Sequence, residues 1–192
     1  MTCRRPVSKL RFVITSQQSL VEPNPEGTLE ERALARLIAN RRTGYDPFYK
    51  VQYEYSIPSQ GRYHWQWFWD SCFHIIALAR LNPAMAVAEL DSLLTPQQVN
   101  GFIGHLTYWG RRGAVMSAFY GQSRFGEWRR RHSGMIQPPV LAHALEELWL
   151  RTGDIKLLST YLPRVRAYYN WLSRERDADQ SGLIGIVSPY EA

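Results

Sequence analysis

Cysteines and long apolar runs are both scarce in this 192-residue chain, and each scarcity excludes a class of protein. With only Cys3 and Cys72, a disulfide framework has no support and a reducing compartment fits better. No apolar run approaches the roughly 20 residues of a transmembrane helix. The run that follows Arg5 is too short for a signal peptide. We therefore expect a soluble, cytoplasmic protein with no membrane partner.

Lysine is scarce as well, because only Lys9, Lys50 and Lys156 stand among the 23 basic residues, and the others are arginines. The formal net charge of +6 would suit an anionic partner. The arginines are scattered, however, apart from one cluster between Arg124 and Arg131, whereas a nucleic-acid-binding protein concentrates its positive charge on one face. We therefore interpret this cluster as a solvated loop and expect no nucleic-acid partner. Affinity that falls steeply with salt would favour the alternative.

Runs with the length and alternation of sheet-forming strands are absent, so the fold class is expected to be all-α. Thr28 and Glu31 show the capping-box spacing that typically starts a helix. The predicted helices cover residues 29–42, 66–81, 83–94, 138–153 and 155–174. The remaining stretches are a structured aromatic loop at 45–64 with room for one short strand, a glycine-rich loop at 95–136 and a strand-like run at 183–187.

Helix after helix, joined by alternately short and long connections, is typical of helical hairpins arranged around an axis. Six hairpins need twelve helices, and the chain supplies about five, so we predict an incomplete (α/α)6 barrel. Residues 28–192 would form this portion of the domain, and residues 1–27 would be a tail or linker. The helices of a partial barrel, such as 66–81, would keep uncovered apolar faces. An oligomer or the missing C-terminal half is therefore expected to cover them.

Three of the seven tryptophans, at positions 65, 67 and 69, lie directly before Asp70. Indole rings pack against the C–H face of a sugar, and a carboxylate can accept hydrogen bonds from two adjacent sugar hydroxyls. Composition alone favours the alternative that these rings are part of the core. Asp70 favours a binding role, because an acid on a nearly all-apolar helix otherwise needs a buried partner. His74 would share its helix face.

Three sequence blocks occur in order, namely Trp67–His74 (Trp-Phe-Trp-Asp-Ser-Cys-Phe-His), Asn100–His105 and Ile136–Leu141. From about residue 29 to its last residue, the chain resembles the opening half of the mannosylglycerate and glucosylglycerate hydrolases. These are (α/α)6-barrel glycoside hydrolases related to glycoside hydrolase family 63. The resemblance implies hydrolysis of a small α-glycoside by an inverting mechanism, with a small carbohydrate as partner and no metal or cofactor.

The resemblance also implies which side chains meet the substrate. Trp69 and Asp70 match the pair that holds the sugar in the cleaved-residue subsite, and Gln137 matches an amide that hydrogen-bonds it. His105 matches a histidine at the start of a rim loop. Cys72 and His74 are interpreted as core positions or as supports behind the pocket. The implied substrate-binding residues are Tyr63, Trp67, Trp69, Asp70, Gln137 and Tyr190.

Neither catalytic carboxylate is expected within this chain. An inverting glycosidase uses two carboxyl groups about 6.5–9.5 Å apart, one as general acid and one as general base. In the resembled family the acid follows a stretch whose beginning matches Ser188–Ala192, and the base lies on a late helix, so both are expected beyond Ala192. Asp70 with Glu191 is a disfavoured alternative pair. The isolated chain is expected to be inactive, and a carbohydrate-binding remnant without chemistry is the alternative function.

Overall fold

Helices dominate the computed structural model, which describes residues 26–120, 126–127, 131–189 and 191. Within these residues the helices are α1 (Leu29–Ala39), α2 (Phe68–Leu81), α3 (Pro83–Leu94), α4 (Gly110–Tyr120), α5 (Leu141–Thr152) and α6 (Ile155–Arg176). The strands are β1 (Arg41–Asp46), β2 (Val51–Ser56), β3 (Gln66–Trp67), β4 (Leu106–Thr107), β5 (Gly126–Glu127) and β6 (His132–Ser133). The chain is therefore mainly helical, with six helices in the described part where about five were predicted. The all-α prediction is confirmed only in part, because two small sheets accompany the helices.

The apolar core lies among α2, α3, α5 and α6. Helix α2 buries one face in this core, including Cys72, which is a free thiol. Helix α3 follows α2 after Asn82 alone, whose side chain accepts a hydrogen bond from the Met85 N–H at 3.2 Å. Pro83 fits at the first helical position, where no backbone donor is needed. These two helices form one tight hairpin that carries the central part of the core.

The predicted helix boundaries agree with the structure to within a few residues. Thr28 and Glu31 form the predicted capping box. Helix α1 ends earlier than residue 42, because the chain turns at Asn40 and its carbonyl oxygen accepts a hydrogen bond from the Ile57 N–H at 3.0 Å. Helix α5 ends where Gly153 adopts a left-handed φ of 66°.

Residues 41–56, predicted as a helix end and a loop, form an antiparallel hairpin of β1 and β2. Asp46 makes the turn, since its Oδ1 accepts hydrogen bonds from the Phe48 N–H at 2.8 Å and the Tyr49 N–H at 3.1 Å. The hairpin packs its own small cluster, in which Tyr55 and Ile57 contact Trp109. The Asp46 Oδ2 accepts a third hydrogen bond from the Gly110 N–H at 2.7 Å, which ties the hairpin to the start of α4.

The predicted loop at 95–136 contains a helix and most of a second sheet. The sheet has strand order β3-β4-β6-β5, and each strand has two residues, too few for any periodic signal. Helix α4 was missed because Gly110 and Gly113 favour a loop assignment. Gly113 is required by packing, because a methyl group there would stand 2.5 Å from the Tyr108 carbonyl oxygen.

The segment 183–187 has no strand partner among the described residues, and its Gly185 N–H donates to the Arg176 carbonyl oxygen at 2.6 Å at the end of α6. Residues 1–25 lie outside the described residues, so the division at residue 27 stays a prediction. In the part of the chain that the structure describes, every helix is too short or too polar to cross a lipid bilayer.

Candidate functional site

The start of α2 is held in place by distant parts of the chain. Trp67 occupies the cap position but supplies no side-chain hydrogen bond to the helix. Instead, the Phe68 N–H donates to the His105 carbonyl oxygen at 2.9 Å, and the Trp69 N–H donates to Gln137 Oε1 at 3.1 Å. Two backbone N–H groups that have no acceptor within the helix are thereby satisfied, one by the residue before β4 and one by the segment before α5. The aromatic segment is a fixed surface as a result.

The aromatic rings at this surface lie edge to face. Tyr63 meets Trp67 with ring centroids 5.7 Å apart, and Trp67 meets the His105 ring at 5.4 Å. Trp69 instead lies tilted against Phe73 at 5.9 Å and is 38% exposed, and Tyr63 is 37% exposed. The Trp67 indole N–H is buried and finds no hydrogen-bond partner within the described residues. Its acceptor must come from a ligand, from water or from another part of the protein.

Asp70 stands in the first turn of α2, where the helix dipole favours a negative charge. Burial raises the pKa of its carboxyl, and the charge of Glu89 adds to that rise. The charge of His74, a hydrogen bond from its own backbone and one from the Trp69 side chain all act in the opposite direction. No arginine or lysine in the described part of the chain forms an ion pair with it. Asp70 is therefore a half-buried carboxylate that is available to hydrogen-bond donors.

Gln137 is oriented by its bond to α2. The oxygen of the amide accepts from a backbone N–H, so the NH₂ group is the end that remains for other partners. Gln137 therefore stabilises the helix start and also offers two donors next to the tryptophans. Its neighbour Ile136 is buried and anchors this segment in the core.

His105 lies behind the aromatic rings and is buried. Its Nδ1 is hydrogen-bonded to the Ser133 hydroxyl, and its backbone N–H donates to the Met135 carbonyl oxygen at 2.8 Å. Burial lowers the pKa of the imidazole to about 4, against a smaller opposing effect of the Glu191 charge. His105 is therefore neutral at neutral pH and positions Trp67 rather than contributing charge.

Glu191 is held by four hydrogen bonds. Its carboxylate accepts from the Ile136 N–H at 3.1 Å, from the Val187 N–H at 2.8 Å and from both terminal nitrogens of Arg176 at 2.9 and 3.1 Å. Burial raises the pKa of this carboxyl, but Arg176 and the two backbone donors outweigh burial and lower it overall. A carboxylate with all its acceptor positions engaged is poorly suited to proton transfer. The geometry gives no support to Asp70 and Glu191 as a catalytic pair.

The structure brings together most of the predicted site residues. Trp67, Trp69, Asp70 and Gln137 surround the start of α2, and Tyr63 reaches them through Trp67. Tyr190 lies outside the described residues.

Of the predicted arginine cluster, only Arg131 is described, and it is not a solvated side chain. Its Nη1 donates to the Gly110 carbonyl oxygen at 2.8 Å and lies 3.9 Å from the buried Asp46 carboxylate. The interpretation of this arginine as solvated is wrong, because it completes the junction between the hairpin and α4.

Two concavities lie elsewhere on the described surface. One, of about 560 Å³, follows the exposed side of α6 from Ile155 to Asn170, and the other, of about 540 Å³, lies between Phe48 and the 96–100 segment. Neither is lined by Trp67 or Asp70.

Exposed aromatic rings around a carboxylate and an amide, on a mainly helical frame, are features of a carbohydrate-active protein. Residues 63–192 match the model of the mannosylglycerate hydrolase MGH1-like glycoside hydrolase domain. The chain belongs to this family of glycoside hydrolases.

Individual relatives agree with this assignment. The chain is 29% identical over 143 residues to mannosylglycerate hydrolase MGH2 of Selaginella moellendorffii, a match that covers 71% of this chain and 29% of the relative. It is 31% identical over 148 residues to glucosylglycerate hydrolase of Mycolicibacterium hassiacum, a match that covers 68% of this chain and 32% of the relative. The crystal structure of GH63 mannosylglycerate hydrolase from Thermus thermophilus, in complex with Tris and D-glycerate, superposes with a TM-score of 0.68. That match has 26% identity and covers 86% of this chain and 38% of the other. The chain thus spans about a third of the length of these relatives.

Proposed function

We propose that this chain forms the sugar-binding part of an (α/α)6 glycoside hydrolase domain that acts on small α-glycosides of the mannosylglycerate or glucosylglycerate type. The observation that carries the proposal is the fixed start of α2, where Trp67, Trp69, Asp70 and Gln137 meet. The names of the relatives support the substrate class. The rest of the barrel and residues 28–192 as its first portion belong to the same proposal.

The recognition follows from the chemistry of the side chains. Trp69 and Tyr63 are partly exposed aromatic side chains on which the C–H face of a hexose can stack. Asp70 accepts hydrogen bonds from two neighbouring hydroxyls, and the Gln137 NH₂ group donates to a third oxygen. The arrangement has donors and acceptors on one side of a ring and aromatic carbon on the other. A pyranose is complementary to both.

A glycerate group would add a carboxylate to the ligand, and an arginine of the 95–136 region would pair with it. Arg131 is already engaged with Gly110 and Asp46. Arg111 and Arg112 are exposed on the first turn of α4 and are the better candidates.

Hydrolysis with inversion needs two carboxyl groups about 6.5–9.5 Å apart on opposite sides of the sugar. Asp70 serves binding in this proposal, and Glu191 is committed to Arg176 and to two backbone donors. The general acid and base would come from parts of the domain other than the described residues. Four exposed apolar side chains also need a covering surface, namely Leu150, Ile155, Leu162 and Val187. Further helices of the domain or a second copy of the chain would cover them.

Calorimetric titration of the 192-residue chain with mannosylglycerate and glucosylglycerate tests the proposal. We expect binding by the wild-type chain and at least about a tenfold loss in Asp70→Ala, because a carboxylate that accepts two hydroxyls contributes more than about 1.4 kcal/mol. Glu146→Gln, on the exposed side of α5, is the matched control and should bind like the wild type.

Release of free hexose is measured in the same samples. Binding without release supports the carbohydrate-binding alternative for the isolated chain, and release by the isolated chain contradicts the expectation that its catalytic groups lie elsewhere. If neither glycoside binds at any concentration tested, the sugar-binding proposal is wrong.

A further inference from the structure

A carboxylate lies fully buried beside the candidate site. Glu89 of α3 has no exposed surface, and its Oε1 lies 3.1 Å from His74 Nδ1. Its Oε2 accepts a hydrogen bond from the Ser56 N–H at 3.0 Å, at the end of β2. A buried carboxylate is costly unless it is paired and hydrogen-bonded, and Glu89 meets both conditions. Its two oxygens thereby join α2, α3 and the hairpin at one point.

The hydrogen-bond network around Glu89 also includes Gln66, the residue before Trp67. The Gln66 amide Nε2 donates to the Glu89 carbonyl oxygen at 3.4 Å and to the Ser71 hydroxyl at 3.2 Å. Its Oε1 accepts a hydrogen bond from Trp109 Nε1 at 2.8 Å. Gln66, which is buried, therefore cannot turn without breaking contacts to α2, to α3 and to the residue just before α4. The position of Trp67 depends on this network.

His74 lies one turn beyond the half-buried Asp70 on the same face of α2, and its ring bonds to the buried Glu89. Both charges act on Asp70, since His74 lowers and Glu89 raises the pKa of its carboxyl. Burial raises the pKa of the Cys72 thiol, on the buried side of α2, and the charges of Glu89 and Asp70 raise it further.

The other elements packed on α2 bring charges that are engaged elsewhere. Helix α1 contributes Glu30, which pairs with Arg80 at the far end of α2 at 3.3 Å. Helix α5 carries His143 and Glu146, which are exposed and pair with each other at 3.3 Å. On α3, Asp91 accepts a hydrogen bond from the Tyr161 hydroxyl at 2.7 Å, and on β2, Glu54 pairs with Arg41. His74 and Glu89 are the two charged groups that shift the pKa of Asp70.

We propose that His74 and Glu89 are positioning residues of the sugar site: the Glu89 carboxylate fixes the imidazole against the end of β2, and the pair sets the charge with which Asp70 meets its ligand. Neither side chain touches the ligand in this arrangement. The identity of the ligand rests on the proposed function, whereas the effect of the pair on Asp70 does not.

Carbon-detected NMR titration of the aspartate side-chain carboxyls in the 192-residue chain tests the pair directly, with the Asp70 signal assigned from its loss in Asp70→Asn. His74→Gln removes the charge that lowers the Asp70 pKa, so the titration midpoint should move to higher pH. Glu89→Gln removes the charge that raises this pKa, so the midpoint should move to lower pH. Opposite shifts distinguish electrostatic positioning from general loss of structure, which would move both variants in the same direction.

Glu146→Gln is the control and should leave the midpoint where the wild type has it. If Glu89→Gln does not fold, the upward shift in His74→Gln alone decides, and its absence overturns the proposal. The affinity for mannosylglycerate, measured across the same pH range, should shift in parallel with the Asp70 midpoint. If the wild-type chain binds no glycoside while the midpoints shift as expected, the proposed function fails and the role of the pair stands. If the wild-type chain binds glycoside but neither variant shifts the Asp70 midpoint, the role of the pair fails and the proposed function stands.

Discussion

Burial of His105 makes the stability of this chain depend on pH in a calculable way. The imidazole of an unfolded histidine takes up a proton at a pKa of about 6.5, whereas burial lowers the pKa of folded His105 to about 4. Between these values the unfolded state binds more protons than the folded state. The free energy of unfolding therefore rises with pH in this interval and falls as the pH is lowered from about 6.5 to about 4.

The size of the effect follows from the difference between the two pKa values. At and below about pH 4, the difference between the two pKa values lowers the free energy of unfolding by about 3 kcal/mol relative to neutral pH. At about pH 5 the loss relative to neutral pH is about 2 kcal/mol. Glu191 adds a loss of the same sign at lower pH, because its lowered pKa stabilises the folded chain above the unfolded pKa of about 4.3 and that contribution disappears as the pH falls below this value.

Urea unfolding followed by tryptophan fluorescence measures this dependence at about pH 7 and about pH 5. His105→Gln keeps a side chain that can bond to the Ser133 hydroxyl but cannot take up a proton. The wild type should lose about 2 kcal/mol more than this variant between the two conditions, since the Glu191 contribution is common to both. His143→Gln, at an exposed position of α5, should follow the wild type. Parallel losses in the wild type and in His105→Gln would refute the reasoning.

Two further substitutions, each with a control substitution, test a close packing contact and a buried ion pair by the change in the free energy of unfolding. Gly101→Ala should destabilise the chain by more than about 2 kcal/mol, because its φ is 100° and the new methyl group would stand 2.1 Å from the Ala167 carbonyl oxygen. Gly182→Ala, at a φ of 81° with open space around it, isolates the backbone strain and should cost about 1 kcal/mol; equal losses would contradict the packing argument. Glu191→Gln leaves the buried Arg176 charge without its partner and should cost about 3–5 kcal/mol, whereas Glu175→Gln, in an exposed pair, should change stability by less than about 0.5 kcal/mol. A small effect at Glu191 would show that the segment before it is held by other contacts.

The helices could be predicted because their signals are local. Thr28 with Glu31, Pro83 and Gly153 mark helix ends within a few residues of the chain, and the apolar spacing between such marks is regular. The hairpin of β1 and β2 was missed because its aromatic residues alternate only in part and Pro47 interrupts them. The structure places Pro47 in the turn, where it needs no donor.

The candidate site could be predicted to the extent that it is one stretch of sequence. Trp67, Trp69 and Asp70 are adjacent, so their proximity follows from the chain itself. The pairing of Glu89 with His74 depends on how α2 packs on α3, which no spacing along the chain specifies. One signal was present, since Glu89 is an acid on the apolar face of α3, and a buried acid needs a partner.

The hydrogen bonds that hold the start of α2 also determine the order in which the molecule can fold. Helices α2 and α3 are joined by a single residue and can pair through local contacts. The acceptor for the Trp69 N–H lies 68 residues further along the chain, so a large loop must close before that bond forms. We therefore expect the helical hairpin to appear early and the aromatic surface to be completed last. A ligand bound at that surface would select the fully folded chain over every partly folded form, and would report on the end of folding rather than on helix content.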